Sequence, residues 1–323
     1  MEFFRYKKPL DFMGRSKIAM AISIILVLAS YAILATKGLN YGIDFAGGTI
    51  VQVKYDTKAP IQKMRDKLKG NKLFDSATIT KFGSPDEVII RMKTSTGSVT
   101  KDVGDVTREA LKGTGNFKIR RVDIVGPKVG SELKEKGLMA LFLSVAAILI
   151  YVAFRFEWRF AVASIVALIH DVSISMGAVA LFQIDVNLDV LAAILTLLGY
   201  SLNDTIIVFD RIREGIVKSK NVGLSEIINE SITRTLARTT LTSLTTFFVV
   251  FTLFMFGGEI IHAFAFTLLV GIVVGTYSSI FVASPILMLF GFDVKKYHTK
   301  LAEKAKREAE KERMRAQYES GVM

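Results

Sequence analysis

Six apolar segments dominate the chain, and each approaches or exceeds the ~20 residues that a helix needs to cross a bilayer. They are Ile18–Thr36, Leu138–Phe154, Phe160–Phe182, Leu188–Phe209, Thr239–Phe256 and His262–Phe290. A backbone surrounded by lipid must satisfy its own hydrogen bonds, so segments of this kind form helices. The sequence therefore predicts a mostly α, polytopic membrane protein with six transmembrane helices.

The composition supports this division into apolar and polar regions. Hydrophobic residues make up 51% of the chain, yet 22% of its residues are charged, so the two kinds must be segregated. The formal charge of +12 fits either a nucleic acid or a membrane surface as a partner, and the position of the charges decides between them. The chain has no cysteine, which excludes disulfides and thiol chemistry.

The first apolar segment follows five basic residues, as a signal peptide would. Its apolar run of about 19 residues is longer than a typical signal-peptide core. Small residues such as Ala32 and Ala35 allow cleavage, but the length favours an uncleaved anchor. We therefore assign residues 18–36 to the first transmembrane helix.

The basic residues of the short loops predict the orientation of the chain. Lys and Arg number five in residues 1–17, two in Arg155–Arg159, six in Asp210–Thr239 and nine from Lys295 onward, whereas Gln183–Asn187 and Gly257–Ile261 have none. Basic short loops stay in the cytoplasm, while long domains translocate largely regardless of charge. Both termini are then cytoplasmic, and the charges lie in membrane anchors and an external domain, which removes most support for a nucleic-acid partner.

The domain boundaries follow from this topology. We assign residues 1–17 to a cytoplasmic segment, 37–136 to a periplasmic domain, 137–291 to transmembrane helices 2–6, and 292–323 to a basic cytoplasmic tail. The chain is thus predicted to be an integral membrane protein with its large domain outside the cytoplasm.

The periplasmic region alternates between strand and helix patterns. Strands are predicted at Thr49–Tyr55, Thr78–Phe82, Glu87–Lys93 and Asn116–Val125, a turn at Gly83–Asp86, and helices at Pro60–Lys69 and Val99–Lys112. The first helix presents Ile61, Met64 and Leu68 on one face, and the second buries Val103, Val106 and Leu111. The order β-α-β-β-α-β predicts an α+β ferredoxin-like domain.

This region has no His and no Cys, and the chain shows no metal-binding helix, phosphate loop or nucleophile elbow. The sequence therefore predicts a polypeptide-contacting or structural domain, and neither an enzyme nor a metal protein.

Asp204 is the most informative ionisable residue inside a predicted span, because such residues are costly in lipid. Tyr200, Ser201 and Asn203 lie close enough along the helix to donate hydrogen bonds to it. Loss of water raises the pKa of a carboxylate, whereas a nearby cation lowers it. Such a group can change its protonation when the geometry changes. A proton relay needs such a group.

The counter-charge expected for Asp204 is Arg238, where the fifth span enters the membrane, and Arg234 is the alternative. A static buried ion pair that joins two helices fits the same spacing, so spacing alone leaves a relay and a structural pair equally open. Asp171, beside His170 in the third span, is a second candidate relay group or a polar clamp between helices.

Small and hydroxyl residues mark the last two spans. The fifth carries six Thr or Ser residues between Thr239 and Thr246, and the sixth has a small residue at every fourth position from Gly271 to Ala283. Both patterns are typical of helix–helix contacts in membranes. Pro285 predicts a kink.

Several segments together resemble the SecD/SecF family of protein-export membrane proteins, within the resistance-nodulation-division (RND) superfamily, and specifically its SecF branch. They are YGIDFAGGT from Tyr41, VGPKVGSEL from Val125, GYSLNDTIIVFDRIRE from Gly199, NESITRTLARTTLTSLTT from Asn229 and GTYSSIFVASP from Gly275. The segments occur in order along nearly the whole chain, and together they are specific.

The resemblance implies an RND-type half that pairs with SecD, assists the SecYEG translocon, has YajC as a further partner, and contacts secreted preproteins and membrane lipids. It implies use of the proton-motive force to promote release of the secreted chain, with no cofactor beyond protons. Asp204 matches the family's proton-pathway carboxylate, Arg238 its basic partner, and Asn203 and Thr205 flank the carboxylate. Asp171 and His170 belong to no family motif that can be carried over, so their role stays open. The resemblance also implies a location in the bacterial inner membrane.

Two alternatives remain open at this stage. The chain is compatible with half of a proton-coupled RND-type exporter of lipids or small molecules. It is also compatible with a subunit that only holds its partner in place.

Overall fold

The computed structural model describes residues 8–69, 74, 77–92, 103–219, 222–291 and 294–319. Within these ranges six helices are long and apolar enough to cross a membrane. The first five are α1 (Ser16–Lys37), α5 (Pro127–Arg155), α6 (Trp158–Leu181), α7 (Leu188–Lys218) and α8 (Leu224–Phe256). The sixth span consists of α9 (Gly258–Ser278), a π-helical turn (Ser279–Ala283) and α10 (Ser284–Leu289). The predicted six-span architecture is therefore confirmed.

Three of these helices continue by about two turns or more beyond the predicted apolar segments. α5 begins at Pro127 and not at Leu138, because a polar stretch extends the same helix by about three turns. The predicted loop Asp210–Thr239 is also mostly helical, and only 219–223 separate α7 from α8. The two extensions pack together through buried isoleucines, including Ile212 and Ile227. The length of an apolar run predicts only the part of a helix that lies in lipid, and not where the helix itself begins or ends.

The sixth span is irregular just before Pro285. A proline has no N–H to bond the carbonyl four residues earlier, and here the preceding turn, Ser279–Ala283, adopts the wider π-helical spacing. The structure thus has a π-helical turn on the N-terminal side of the proline, and the kink itself stays a prediction.

Between α1 and α5 lies the α+β domain, which has four strands in one antiparallel sheet. They are β2 (Gly48–Tyr55), β3 (Thr78–Phe82), β4 (Ser84–Met92) and β5 (Phe117–Val125), in the spatial order β3-β4-β2-β5. With α3 (Ile61–Leu68) and α4 (Val103–Ala110), the chain order is the predicted β-α-β-β-α-β. Residues 99–102 of the second predicted helix lie outside the described residues, as does Lys93 of the third predicted strand.

One face of this sheet is covered by the helices and forms the core of the domain. Val53 and Val88 from the sheet meet Met64 from α3, and all three are fully buried. Leu68 and Leu111 are buried as predicted. The predicted turn Gly83–Asp86 is shorter than expected, because β4 already begins at Ser84 and pairs with Phe82 across Gly83. Gly83 permits this because it adopts a positive φ of 67°.

Polar contacts connect the domain to the helical bundle at the turn between α6 and α7. The short strand β1 (Asn40–Tyr41) pairs in parallel with β6 (Asp185–Val186) in that turn. The side chain of Asp185 forms an ion pair with Arg91 of β4 and accepts a hydrogen bond of 2.6 Å from Asn40 Nδ2. The turn that joins α6 to α7 is therefore bound directly to the sheet.

A short helix, α2 (Ile43–Ala46), packs against the start of α5. A methyl group placed on Gly130 of α5 would lie 3.1 Å from the amide nitrogen of Gly47, so a side chain here would crowd the backbone of α2.

At the opposite end of the bundle, the segment before α1 is held by α8. Asn229 Oδ1 accepts hydrogen bonds of 2.9 Å from the backbone amides of Phe12 and Met13. Thr233 Oγ1 accepts one of 3.0 Å from Leu10, and Asn229 Nδ2 donates to Asp11. After the last span, α11 (Val294–Glu319) forms a charged helix within the residues assigned to the tail.

We expect Gly48→Ala to destabilise the sheet. Gly48 has a φ of +140°, and a Cβ there would lie 2.5 Å from the carbonyl oxygen of Met92 on the neighbouring strand. Strain of this kind costs about 1–3 kcal/mol, so limited proteolysis of the purified chain should cut the domain at a lower temperature. Gly126→Ala is the matched control, because nothing lies within 4 Å of its Cβ position. Equal protease resistance of the two variants would contradict this account.

Candidate functional site

Two carboxyl groups lie in the interior of the helical bundle, where α6, α7, α8 and α9 meet. Asp204 of α7 is 1% exposed, and Asp171 of α6 is fully buried. Within the described part of the chain, neither carboxylate forms an ion pair with Lys or Arg. Hydrogen bonds from hydroxyl groups take the place of a cation.

Asp204 is bonded from α8. Ser243 Oγ donates a hydrogen bond of 3.1 Å to Asp204 Oδ2. Thr276 Oγ1 of α9 in turn donates to Ser243 Oγ at 2.7 Å. Two hydroxyl groups in series therefore connect α8 and α9 to the carboxylate on α7.

The carboxyl group of Asp171 contacts three polar side chains of the bundle. Its Oδ2 accepts hydrogen bonds from Ser201 Oγ of α7 at 2.5 Å and from Ser278 Oγ of α9 at 2.8 Å. Its Oδ1 lies 2.9 Å from His170 Nδ1. Ser201 precedes Asp204 by one helical turn, so the two carboxylates belong to one polar cluster.

Small residues of α9 bring the helices close enough for these bonds. A Cβ on Gly275 would lie 3.1 Å from Cβ of Ser201 and 3.5 Å from Asp171 Oδ2, and one on Gly271 would meet Leu197 at 2.6 Å. The predicted small-residue stripe is confirmed as a contact between helices at these two positions. A larger residue at Gly275 would crowd Ser201, and one at Gly271 would require the Leu197 side chain to move.

The predicted ion pair between Asp204 and Arg238 is not formed in this structure. Arg238 is exposed on α8, five residues before Ser243 and therefore on another side of the helix. The alternative partner, Arg234, is also exposed and pairs with Glu230 at 2.5 Å. The pairing prediction is wrong for this conformation because the rotation of α8 points hydroxyls, and not guanidinium groups, at Asp204.

The predicted supporting residues are only partly near Asp204. Ser201 bonds Asp171 instead, and Thr205 Oγ1 donates to the carbonyl of Ser201 at 3.1 Å. Tyr200 Oη is buried and has no hydrogen-bond partner among the described residues, while Asn203 is exposed. Whether any of these residues takes part in proton movement stays a prediction.

Sequence reasoning did not single out Ser243, Thr276 or Ser278 as partners of carboxylates. The signal that points to them is the density of hydroxyls in the fifth and sixth spans, since a buried carboxylate needs donors. For metals, the described residues contain no group of three His, Cys, Asp or Glu side chains that could hold an ion.

The architecture defines a class: a six-span membrane protein with an α+β domain inserted after its first helix. Two family descriptions match this chain. Protein export membrane protein SecD/SecF, C-terminal, matches residues 106–293, and the SecD/SecF GG motif matches residues 32–59. The chain belongs to the SecF family of protein translocase subunits.

Relatives over nearly the full length agree with this assignment. The chain is 48% identical to the protein translocase subunit SecF of Helicobacter pylori J99, over 99% of both chains. It is 46% identical to that of Vibrio alginolyticus, over 90% of this chain and 92% of the relative.

The fold also matches a solved structure. The crystal structure of SecDF, a translocon-associated membrane protein from Thermus thermophilus, superimposes with a TM-score of 0.77 at 35% identity. The match covers 88% of this chain and 39% of that longer chain.

We expect Ser243→Ala to destabilise the bundle by about 1–3 kcal/mol, because Asp204 loses its donor while it stays buried. The midpoint of thermal unfolding in detergent measures this loss. Thr245→Ala on the same helix is the control, since Thr245 is exposed and bonds only its own backbone. Similar midpoints for the two variants would show that the bond to Asp204 contributes nothing.

Proposed function

We propose that this chain pairs with SecD and uses the proton-motive force to promote translocation and release of secreted polypeptides. The observation that carries the proposal is Asp204, a carboxyl group in a membrane span whose hydrogen-bond partner is a hydroxyl. A carboxylate without a bound cation is costly to keep charged in such a place, so binding a proton relieves the cost. Asp204 is thus suited to alternate between charged and neutral states.

Exposed polar groups on the spans support a partner within the membrane. Asn203 and Arg238 both lie on the surface of this single chain. Lipid solvates such side chains poorly, so we assign this surface to contact with other protein. The SecDF chain that matches this fold is far longer than this one, which supports SecD as the missing half.

In this proposal the chain lies in the bacterial inner membrane with both termini in the cytoplasm. The α+β domain then lies in the periplasm, where it can meet preproteins that emerge from SecYEG, with YajC as a further partner. Its link to the bundle through Asp185 supports a role in which movements of α6 and α7 reach the domain.

The test of proton coupling is Asp204→Asn in vesicles reconstituted with SecYEG, SecD and this chain. We expect the variant to co-purify with SecD and to lose the stimulation of export by a proton gradient, down to the level of vesicles without this chain. The control is Asp210→Asn, because Asp210 is partly exposed at the end of the span and pairs with Arg155. Normal gradient-driven export by Asp204→Asn would leave only a structural role for this residue.

We also expect Arg238→Ala to impair gradient-driven export where expression is normal, although Arg238 does not touch Asp204 here. An exposed guanidinium in a span serves either a partner or another conformation, and both are lost with the side chain. Arg211→Ala controls for loss of one arginine, since Arg211 pairs with Glu214 away from the cluster. Wild-type export by Arg238→Ala, with impaired export by Arg234→Ala, would transfer the role to Arg234.

A further inference from the structure

The pair His170–Asp171 is the most deeply buried set of ionisable groups among the described residues. His170 is 5% exposed, and its Nδ1 lies 2.9 Å from Asp171 Oδ1. Its other ring nitrogen, Nε2, is buried and has no hydrogen-bond partner in the described part of the chain. The imidazole therefore has one nitrogen committed to the carboxyl group and one nitrogen free to gain or lose a proton.

Ser278 can bond in two ways. Its hydroxyl lies 2.8 Å from Asp171 Oδ2 on α6 and 3.1 Å from the carbonyl oxygen of Gly275 on its own helix. A charged carboxylate is the stronger acceptor and binds α9 to α6. A neutral carboxyl group is weaker, so the hydroxyl can turn to Gly275 without being left unpaired.

The surroundings of the pair contain few other ionisable groups. On α9, the ring of Tyr277 stacks on His170 at 6.3 Å. On α7, Tyr200 flanks Ser201, and Asp204 follows it by one turn. On α1, Tyr31 bonds Ser173 near the pair. Neither α8 nor any other described element provides a Lys or Arg that pairs with Asp171.

We propose that His170 and Asp171 bind a proton of their own, and that this proton releases α9 from α6. The inference rests on the proposed function and adds a second proton site, distinct from Asp204, with a stated mechanical effect. A proton binds His170 Nε2, and the Nδ1 proton passes to Asp171 Oδ1. One N–H bond forms, one breaks and one O–H bond forms, so the pair gains one proton and both groups end neutral.

The release acts at the start of the π-helical turn. Ser278 is the last residue of α9, and Ser279–Ala283 follow it directly. Turns of this kind occur often at functional sites and can change their hydrogen-bond register. Freed from Asp171, this part of the sixth span can move relative to α6 and α7.

Nitrogen NMR of histidine tests the proton site directly. The chain has only three histidines, so ¹⁵N-histidine labelling of the full chain in nanodiscs gives few signals, and His170→Gln assigns one of them. From about pH 8 to pH 5, we expect the proton of His170 to shift from Nδ1 to Nε2. Asp171→Asn should abolish this exchange and leave His262 and His298 unchanged. Nitrogens of His170 that keep one protonation pattern throughout would overturn the proposal.

Hydrogen exchange tests the release. After correction for the intrinsic effect of pH, we expect amides of the π-helical turn to exchange about tenfold faster at low pH than at high pH. Ser278→Ala should exchange fast at both pH values. Ser279→Ala is the matched control, because its hydroxyl bonds Thr276 on the same helix, and it should behave as wild type. Identical exchange in Ser278→Ala and wild type at every pH would disprove the proposal that the bond from Ser278 to Asp171 holds α9 against α6.

Repeating the NMR titration in Asp204→Asn separates the two proposals. Exchange of the His170 proton should persist in that variant. If the His170 proton still exchanges and Asp204→Asn also exports normally, the proposed role of Asp204 is wrong and the second proton site is retained. If it is absent from wild type while Asp204→Asn loses gradient-driven export, the second site alone fails.

Discussion

A carboxylate buried without a cation needs hydrogen-bond donors from its neighbours, and hydroxyls on adjacent helices supply them here. Serine and threonine side chains are short, so the helices must approach closely before such bonds can form. Gly275 allows that approach between α9 and α7, next to both Ser201 and Asp171. The packing of the central helices and the charge state of the carboxyl groups therefore depend on each other.

The same two helices that carry the carboxylates also carry the attachment of the α+β domain. Asp171 lies in α6 and Asp204 in α7, and the turn between these helices contains Asp185. Because Asp185 pairs with Arg91 of the sheet and its backbone pairs with β1, the two helices are joined to the domain at a defined point. α6 and α7 each run without a break from the buried carboxyl groups to this turn.

Much of the fold follows from local sequence patterns. The six spans were predictable from the lengths of apolar runs, and the order of strands and helices from residue alternation, because both depend on neighbours along the chain. The shorter turn at Gly83 and the extension of α7 and α8 were not, since a turn type and the burial of Ile212 and Ile227 in one core depend on tertiary contacts. The same reason limits the site. Asp204 was identified from its cost in lipid, but its partner depends on how α8 is rotated, which put Ser243 where Arg238 was expected.

The hydrogen bonds that hold the residues before α1 against α8 have a consequence for biosynthesis. Phe12 and Asn229 are separated by 217 residues, so the first span is made long before the helix that closes over its beginning. At about 5–20 residues per second, this interval is roughly 10 to 40 seconds. During that time the newly made α1 lacks the contact that anchors its start. It reaches its final position in the bundle only when α8 has left the ribosome.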